Sequence, residues 1–237
     1  MQRQHISAYE VVWYDDQFLT EPVGQIFSPD YWQAQNRITG QAQGRGTTWF
    51  VQTAQGEAAL RHYRRGGLLG KLIQDQYLFT GWDNTRCHRE LMLLQHLQQQ
   101  GVHVPQPLAA RAVKCGLFYR ADLITGKIPA AQDLVGILTS RTLSTDEYRR
   151  IGAEIALLHR AQVNHTDLNI HNILLDATGQ VWIIDFDKCR QETGNGWQQA
   201  NLDRLLRSFR KEKIKRAIQW QDSDFNALLE GYQGATD

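Results

Sequence analysis

His165-Thr166-Asp167-Leu168-Asn169-Ile170-His171-Asn172-Ile173-Leu174-Leu175-Asp176 is followed, after a short turn, by Val181-Trp182-Ile183-Ile184-Asp185-Phe186-Asp187. One carboxylate, Asp167, stands five residues before an amide, Asn172, and a second, Asp185, stands thirteen residues after that amide. This spacing suits the transfer of a phosphoryl group from ATP. The first aspartate orients an attacking hydroxyl and accepts its proton, while the asparagine and the second aspartate hold Mg²⁺ on the phosphates.

The spacing makes geometric sense. Ile173 to Leu175 and Val181 to Ile184 are short β-prone runs, and Asp176-Ala-Thr-Gly179 between them is turn chemistry, so the segment predicts a hairpin. A hairpin brings its outer ends together and makes neighbours of Asn172 and Asp185. Hard oxygen donors there suit Mg²⁺, which keeps several waters and shares its remaining positions with phosphates. A surface hairpin with ordinary turn Asp and Asn is the plainer alternative. The complete set in order, with both spacings and both runs, speaks against it.

Outside this segment the chain sets bounds. Its 237 residues can bury a good core in one large domain or two lobes. Twenty-six basic and 25 acidic side chains nearly cancel, so nothing pulls it globally toward nucleic acid. Cys87, Cys115 and Cys189 lie far apart, which indicates neither a disulfide framework nor a zinc site, and a reducing cytosol is expected. No apolar signal core follows Met1, and no run approaches the ~20 apolar residues of a spanning helix.

Two hydrophobic regimes divide the sequence. Up to about Val104 it reads as β-rich with one long helix. Trp49 to Thr53 and Ala58 to Tyr63 flank a turn, and Leu91, Leu94 and Leu97 recur at helical spacing between N-cap candidates Asp83-Asn-Thr85 and a closing Gly101. Leu108 to Val113 and Leu117 to Ile124 read as a further strand pair. Thr125-Gly-Lys-Ile-Pro129 is the best boundary, giving lobes 1–124 and 125–237. In the second, Ser144-Thr-Asp-Glu147 is a capping box ahead of an apolar stripe of Tyr148, Ile151, Ile155 and Leu158, a helix expected to end near Ala161. From Trp197 the chain reads as helix again.

Ahead of the Trp49 strand, Gly44-Arg-Gly46 could bring bare backbone close to phosphate oxygens, although a Gly-rich hairpin turn reads the same way. The next strand carries Arg61, where a kinase usually places a phosphate-gripping lysine paired with a helix glutamate. Arginine can clamp phosphate through two parallel hydrogen bonds, so the exchange is tolerable without being equivalent. Glu90 is its expected partner. Lys71, in a Gly-rich loop, is a rival for the lysine's role. The run Arg61, His62, Arg64, Arg65, Gly66, Gly67 and Lys71 reads equally as an exposed charged loop or as a cradle for anionic groups.

These residues resemble the protein-kinase-like superfamily. His165 to Leu174, Ile184 to Lys188, Gly44 to Phe50 and Leu60 to Gly67 together resemble the Kdo kinases, which belong with the lipopolysaccharide core heptose kinases. The resemblance covers nearly the whole chain. It implies an α+β bilobal fold with a β-rich N-terminal lobe and a mostly helical C-terminal lobe. It implies ATP-dependent phosphorylation of the 4-hydroxyl of a Kdo sugar on a lipid A precursor, by a peripheral enzyme at the cytoplasmic face of a Gram-negative inner membrane. Asp167 then matches the catalytic base, Asn172 and Asp185 the Mg²⁺ ligands, Gly44 and Gly46 the phosphate loop, and Glu90 the helix glutamate, with Arg61 in the lysine's place. No nucleic acid is implied.

Departures from protein kinases narrow the acceptor. Thr166 replaces the arginine that can receive a phosphorylated activation loop, Asn169 replaces a lysine common two residues after the base, and Asp187 replaces a glycine. A helix-like run begins by about Trp197 and leaves little platform for a peptide, so a sugar-like acceptor fits better. Leu202 to Trp220 keeps apolar residues at helical spacing, with Arg204, Arg207, Lys211 and Lys215 on another side. That helix either packs on the lobe with a solvated basic face or touches anionic lipid directly. Two rival functions stay open: another kinase of the same fold acting on heptose, another small molecule or protein, and a non-catalytic pseudokinase scaffold.

Overall fold

The computed structural model of the protein describes residues 1–44, 46–65 and 75–235. It divides into two compact units, residues 1–92 with 106–127, and residues 93–105 with 128–237.

In the first unit, β1 (Gln2–Ser7), β2 (Glu10–Tyr14), β3 (Ile38–Gln43), β4 (Thr47–Thr53), β5 (Gly56–His62), β6 (Tyr77–Leu78), β7 (Pro107–Cys115) and β8 (Phe118–Gly126) form one antiparallel sheet. Its order is β1-β2-β7-β8-β5-β4-β3, with β6 also on β8. Neighbouring residues point to opposite faces. Val11 and Leu123 enter one core with Leu91 of α2 (Arg86–Gln99), while Val12 and Ile124 enter the other with Trp32 of α1 (Pro29–Ala34). Both faces of the central strands are thus covered, and β8 is buried along most of its length, its polar Asp122 and Thr125 included. The expected hairpin forms between β4 and β5, and Thr53 closes it by donating to the Gly56 carbonyl (2.8 Å). The β1–β2 pair and α1 were not anticipated; β1 is exposed along its length and offers no apolar alternation to read.

The second unit contains β9 (Gln132–Asp133), α3 (Leu134–Ser140), α4 (Thr145–Arg160), β10 (Val163–Asn164), β11 (Ile173–Leu175), β12 (Val181–Ile183), β13 (Arg190–Gln191), α5 (Gln198–Arg216) and α6 (Asp224–Gly234). The capping box of α4 forms in full, and the Arg141 guanidinium, ahead of the Ser144 contacts, holds Glu147 down at about 2. Tyr148, Ile151, Ile155 and Leu158 are buried beneath it. The run read as one helix to Trp220 stops sooner: α5 ends at Arg216, and Ala217 turns left-handed (φ +51°). The chain reverses there and stacks Trp220 on Phe209 of the same helix (5.1 Å between ring centres).

Helices α4 and α6 meet through glycines. A Cβ on Gly152 would lie 1.9 Å from the Leu228 carbonyl oxygen, and one on Gly231 would lie 2.0 Å from that of Arg149. Backbone cannot yield as a flexible side chain does, so Gly152→Ala must part the helices. It is expected to cost about 1–3 kcal/mol in urea unfolding; an unchanged midpoint would show that the close approach carries no weight.

Candidate active site

Candidate site residues lie in each of the two units. In the second unit, Ile173 pairs with Ile183 and Leu175 with Val181, and Gly179 takes the left-handed turn (φ +77°) that a side chain would strain. Asp176 accepts from Thr178 and from the Trp182 indole, which pulls its carboxyl down to about 2. The pairing continues outward where Ile184 N–H donates to the Asn172 carbonyl (2.9 Å). Asn172 and Asp185 therefore flank the open end of the hairpin.

Asp167 joins them through Asn172, whose Nδ2 donates to the Asp167 carbonyl (3.0 Å). That bond fixes the amide, so Oδ1 is the atom Asn172 can offer a cation. His165, fully buried, meets the Ile184 carbonyl through Nε2 (3.0 Å) and packs edge-on against buried Phe186. Burial pushes its imidazole below the ordinary 6.5, which matches a neutral ring donating from Nε2. Asp185 has φ +67°, an uncommon backbone for a non-glycine residue and one that clusters at functional sites. Among the described residues, no three His, Cys, Asp or Glu side chains gather as a metal cluster. One carboxylate and one amide oxygen are a partial set, of the kind that Mg²⁺ completes with phosphates and water.

Helix α5 grips this loop along one stripe. Asn201 Oδ1 accepts from His165 N–H (3.1 Å), Arg204 Nη1 contacts Asp167 Oδ1 (3.2 Å), Ser208 Oγ accepts from Ile170 N–H (3.1 Å), and Glu212 Oε1 lies 3.4 Å from His171 Nε2. Sequence reasoning missed all four. Their i, i+3, i+7, i+11 spacing was a signal, but polar residues at helical spacing read by default as a solvated face. Asn201 and Glu212 are instead buried.

In the first unit, Gly44 and Gly46 form the turn between β3 and β4, closed by Gly44 N–H to the Gly46 carbonyl (3.0 Å). The stem of Arg64 lies so close that a Cβ on Gly46 would come within 3.0 Å of it. Arg61 on β5 donates to Glu90 Oε1 on α2 (2.6 Å), and the Tyr63 hydroxyl donates to Glu90 Oε2. Glu90 is buried, so these donors satisfy a carboxylate that would be costly alone.

The rest of the basic run is more engaged than an open cradle. His62 lies between Asp122 (2.7 Å) and Asp75 (3.2 Å), and Arg65 donates to the Gln76 carbonyl (2.7 Å) above the Tyr77 ring. Arg45, Gly66, Gly67 and Lys71 lie outside the described residues.

A kinase-type loop with a two-oxygen hairpin mouth lies in one unit and a strand cation paired to a helix glutamate in the other, and a family match covers most of the chain. Residues 29–232 fit the model of the "Lipopolysaccharide kinase (Kdo/WaaP) family". The chain belongs to that family. It is similar to a protein of Vibrio parahaemolyticus (56% identity, covering 97% of each chain) and to one of Vibrio vulnificus strain CMCP6 (58%, 93% of each). It is also similar to one of Haemophilus influenzae (44%, 98% of each). Each of these three proteins is named a 3-deoxy-D-manno-octulosonic acid kinase.

The Asp122 hydrogen bond, foremost, raises His62 in this family member above its ordinary 6.5. Because the folded value is the higher one, the pair's stabilisation is present in full below about 6.5 and fades as pH rises through the folded value. Asp122→Asn is expected to lower the His62 midpoint in an NMR titration. A midpoint that stays put would show that Asp122 does not set it.

Proposed function

We propose that this protein transfers the γ-phosphoryl group of ATP to the 4-hydroxyl of a Kdo sugar on a lipid A precursor, in lipopolysaccharide inner-core synthesis. One observation supports the chemistry most: Asp167, Asn172 and Asp185 share one loop and hairpin, linked through Asn172 to Asp167 (3.0 Å) and Ile184 to Asn172 (2.9 Å). The acceptor is supported by full-length likeness to proteins named for that sugar.

Asp167 serves as the base. It takes the proton of the acceptor hydroxyl while the oxygen bonds to γ-phosphorus and the bond to the β-phosphate breaks, leaving ADP. Asn172 Oδ1 and the Asp185 carboxylate would hold Mg²⁺, which would neutralise charge on the phosphates. Gly44 and Gly46 admit those phosphates to bare backbone, with Arg64 beside them. Arg61, braced by Glu90, takes the lysine's part; a guanidinium has donors enough for a carboxylate and a phosphate oxygen together. Residues 1–124 act as the nucleotide-binding lobe and residues 125–237 as the catalytic lobe.

With ATP, Mg²⁺ and a Kdo-bearing lipid A precursor, mass spectrometry is expected to show one added phosphate on the sugar. Label on protein alone, or none anywhere, would favour a protein kinase or a scaffold. Asp167→Ala is expected to cut turnover by about 10²–10⁴-fold with the fold intact, and retained turnover would contradict the assigned base.

The proposal includes peripheral attachment at the cytoplasmic face of the inner membrane. Among the described residues, no helix is long and apolar enough to cross a bilayer. Helix α5 turns Leu202, Leu205 and Phe209 inward, and its far end presents Ile214, 88% exposed, between exposed Lys211, Lys213 and Lys215. An apolar side chain among cations suits an anionic bilayer, where each cation contributes about 1 kcal/mol. Neutralising Arg207, Arg210, Lys211 and Lys215 together is expected to abolish sedimentation with anionic vesicles; unchanged sedimentation would remove this attachment.

A further inference from the structure

Between His165 and Asn172 the catalytic loop carries neither lysine nor arginine. Asn169, where a lysine could stand, is engaged within the loop: its Nδ2 donates to the Asp167 carbonyl (2.8 Å) and its Oδ1 accepts from His171 N–H (2.9 Å). The cation at Asp167 comes instead from α5, where Arg204 Nη1 lies 3.2 Å from Oδ1. The direction of Arg204 is not accidental. It lies three residues after Asn201 and four before Ser208, the two side chains that fix the loop's backbone at His165 and Ile170. The same helical face must then aim Arg204 at the residue between.

Stability does not account for the pair. Both side chains are about half exposed (48% and 49%), and exposed ion pairs contribute little to folding. Orientation does account for it. An aspartate's terminal torsion is broad, so an untethered carboxylate wanders.

We propose that Arg204 is a positioning residue for phosphoryl transfer. It holds Oδ1 of Asp167, leaves Oδ2 for the acceptor hydroxyl, and supplies the positive charge that the loop lacks. This rests on Asp167 being the base. The acceptor proton passes to Oδ2, the acceptor oxygen bonds to γ-phosphorus, and the γ-phosphorus–oxygen bond to the β-phosphate breaks with its electron pair leaving on ADP. Without Arg204 the carboxylate and the incoming phosphoryl oxygens repel each other with no countercharge between them, and the carboxylate loses its fixed orientation.

The test is steady-state kinetics and thermal unfolding of the full chain carrying Arg204→Ala, Arg204→Gln or Arg204→Lys. The alanine and glutamine variants are expected to lose about 10–100-fold in kcat, with the KM for ATP and the Tm unchanged, and lysine to recover part of the loss. Added to Asp167→Asn, Arg204→Ala is expected to cost less than about twofold more, because the two act as a unit. Wild-type turnover in Arg204→Ala, losses that multiply in the double variant, or a loss that tracks a fallen Tm without rescue by lysine would each overturn the role. If Asp167→Asn itself keeps full turnover, the base assignment falls and the positioning role with it. A normal Arg204→Ala beside an inactive Asp167→Asn removes the role alone.

Discussion

A loop that presents side chains for chemistry leaves its own backbone without the partners a helix or strand would provide, and buried N–H groups demand acceptors. Here the acceptors come from α5. Asn201 takes the His165 amide and Ser208 takes that of Ile170, while Asn201 also donates to Asn164 just upstream (2.9 Å). The loop is thereby held from one side by a helix and from the other by the β11–β12 hairpin. Asp167 and Asn172 sit between these two anchors. The helix can serve as a frame because its apolar face, with Leu202, Leu205 and Phe209, is fixed in the core of its unit.

The first unit solves a different problem with the same physics. Glu90 is a buried carboxylate, which is tolerated only when charge and hydrogen bonds meet it on both oxygens. Arg61 on β5 and Tyr63, just past the end of that strand, do this. Burial and the Glu90 charge together keep the Tyr63 phenol well above its ordinary value, so it stays a donor. An arginine fits this arrangement better than a lysine would, because its planar fork can serve a carboxylate and keep further donors directed elsewhere.

Much of this was legible in the sequence. The hairpin followed from two short apolar runs around Asp176 and Gly179, the α4 cap from Ser144 and Glu147, and the Arg61–Glu90 pair from the order of a strand cation and a helix acid. What could not be read depended on distance along the chain. Arg204 is 37 residues from Asp167, and nothing local to either names the other. Asn201 and Glu212 gave no local sign of their burial, because polarity, not burial, is what a sequence displays. The end of α5 was missed for a related reason: Trp220 extends the apolar pattern, yet it reaches the core by folding back after Ala217 rather than by continuing the helix.

The central claim is that Asp167, Asn172 and Asp185 act on one phosphate group. The most direct measurement is a crystal structure with Mg²⁺ and a non-hydrolysable ATP analogue. The account predicts a cation bound by Asn172 Oδ1, the Asp185 carboxylate and the nucleotide's phosphates, with Asp167 facing the γ-phosphate. A nucleotide seated elsewhere, or a cation touching neither Asn172 nor Asp185, would contradict it.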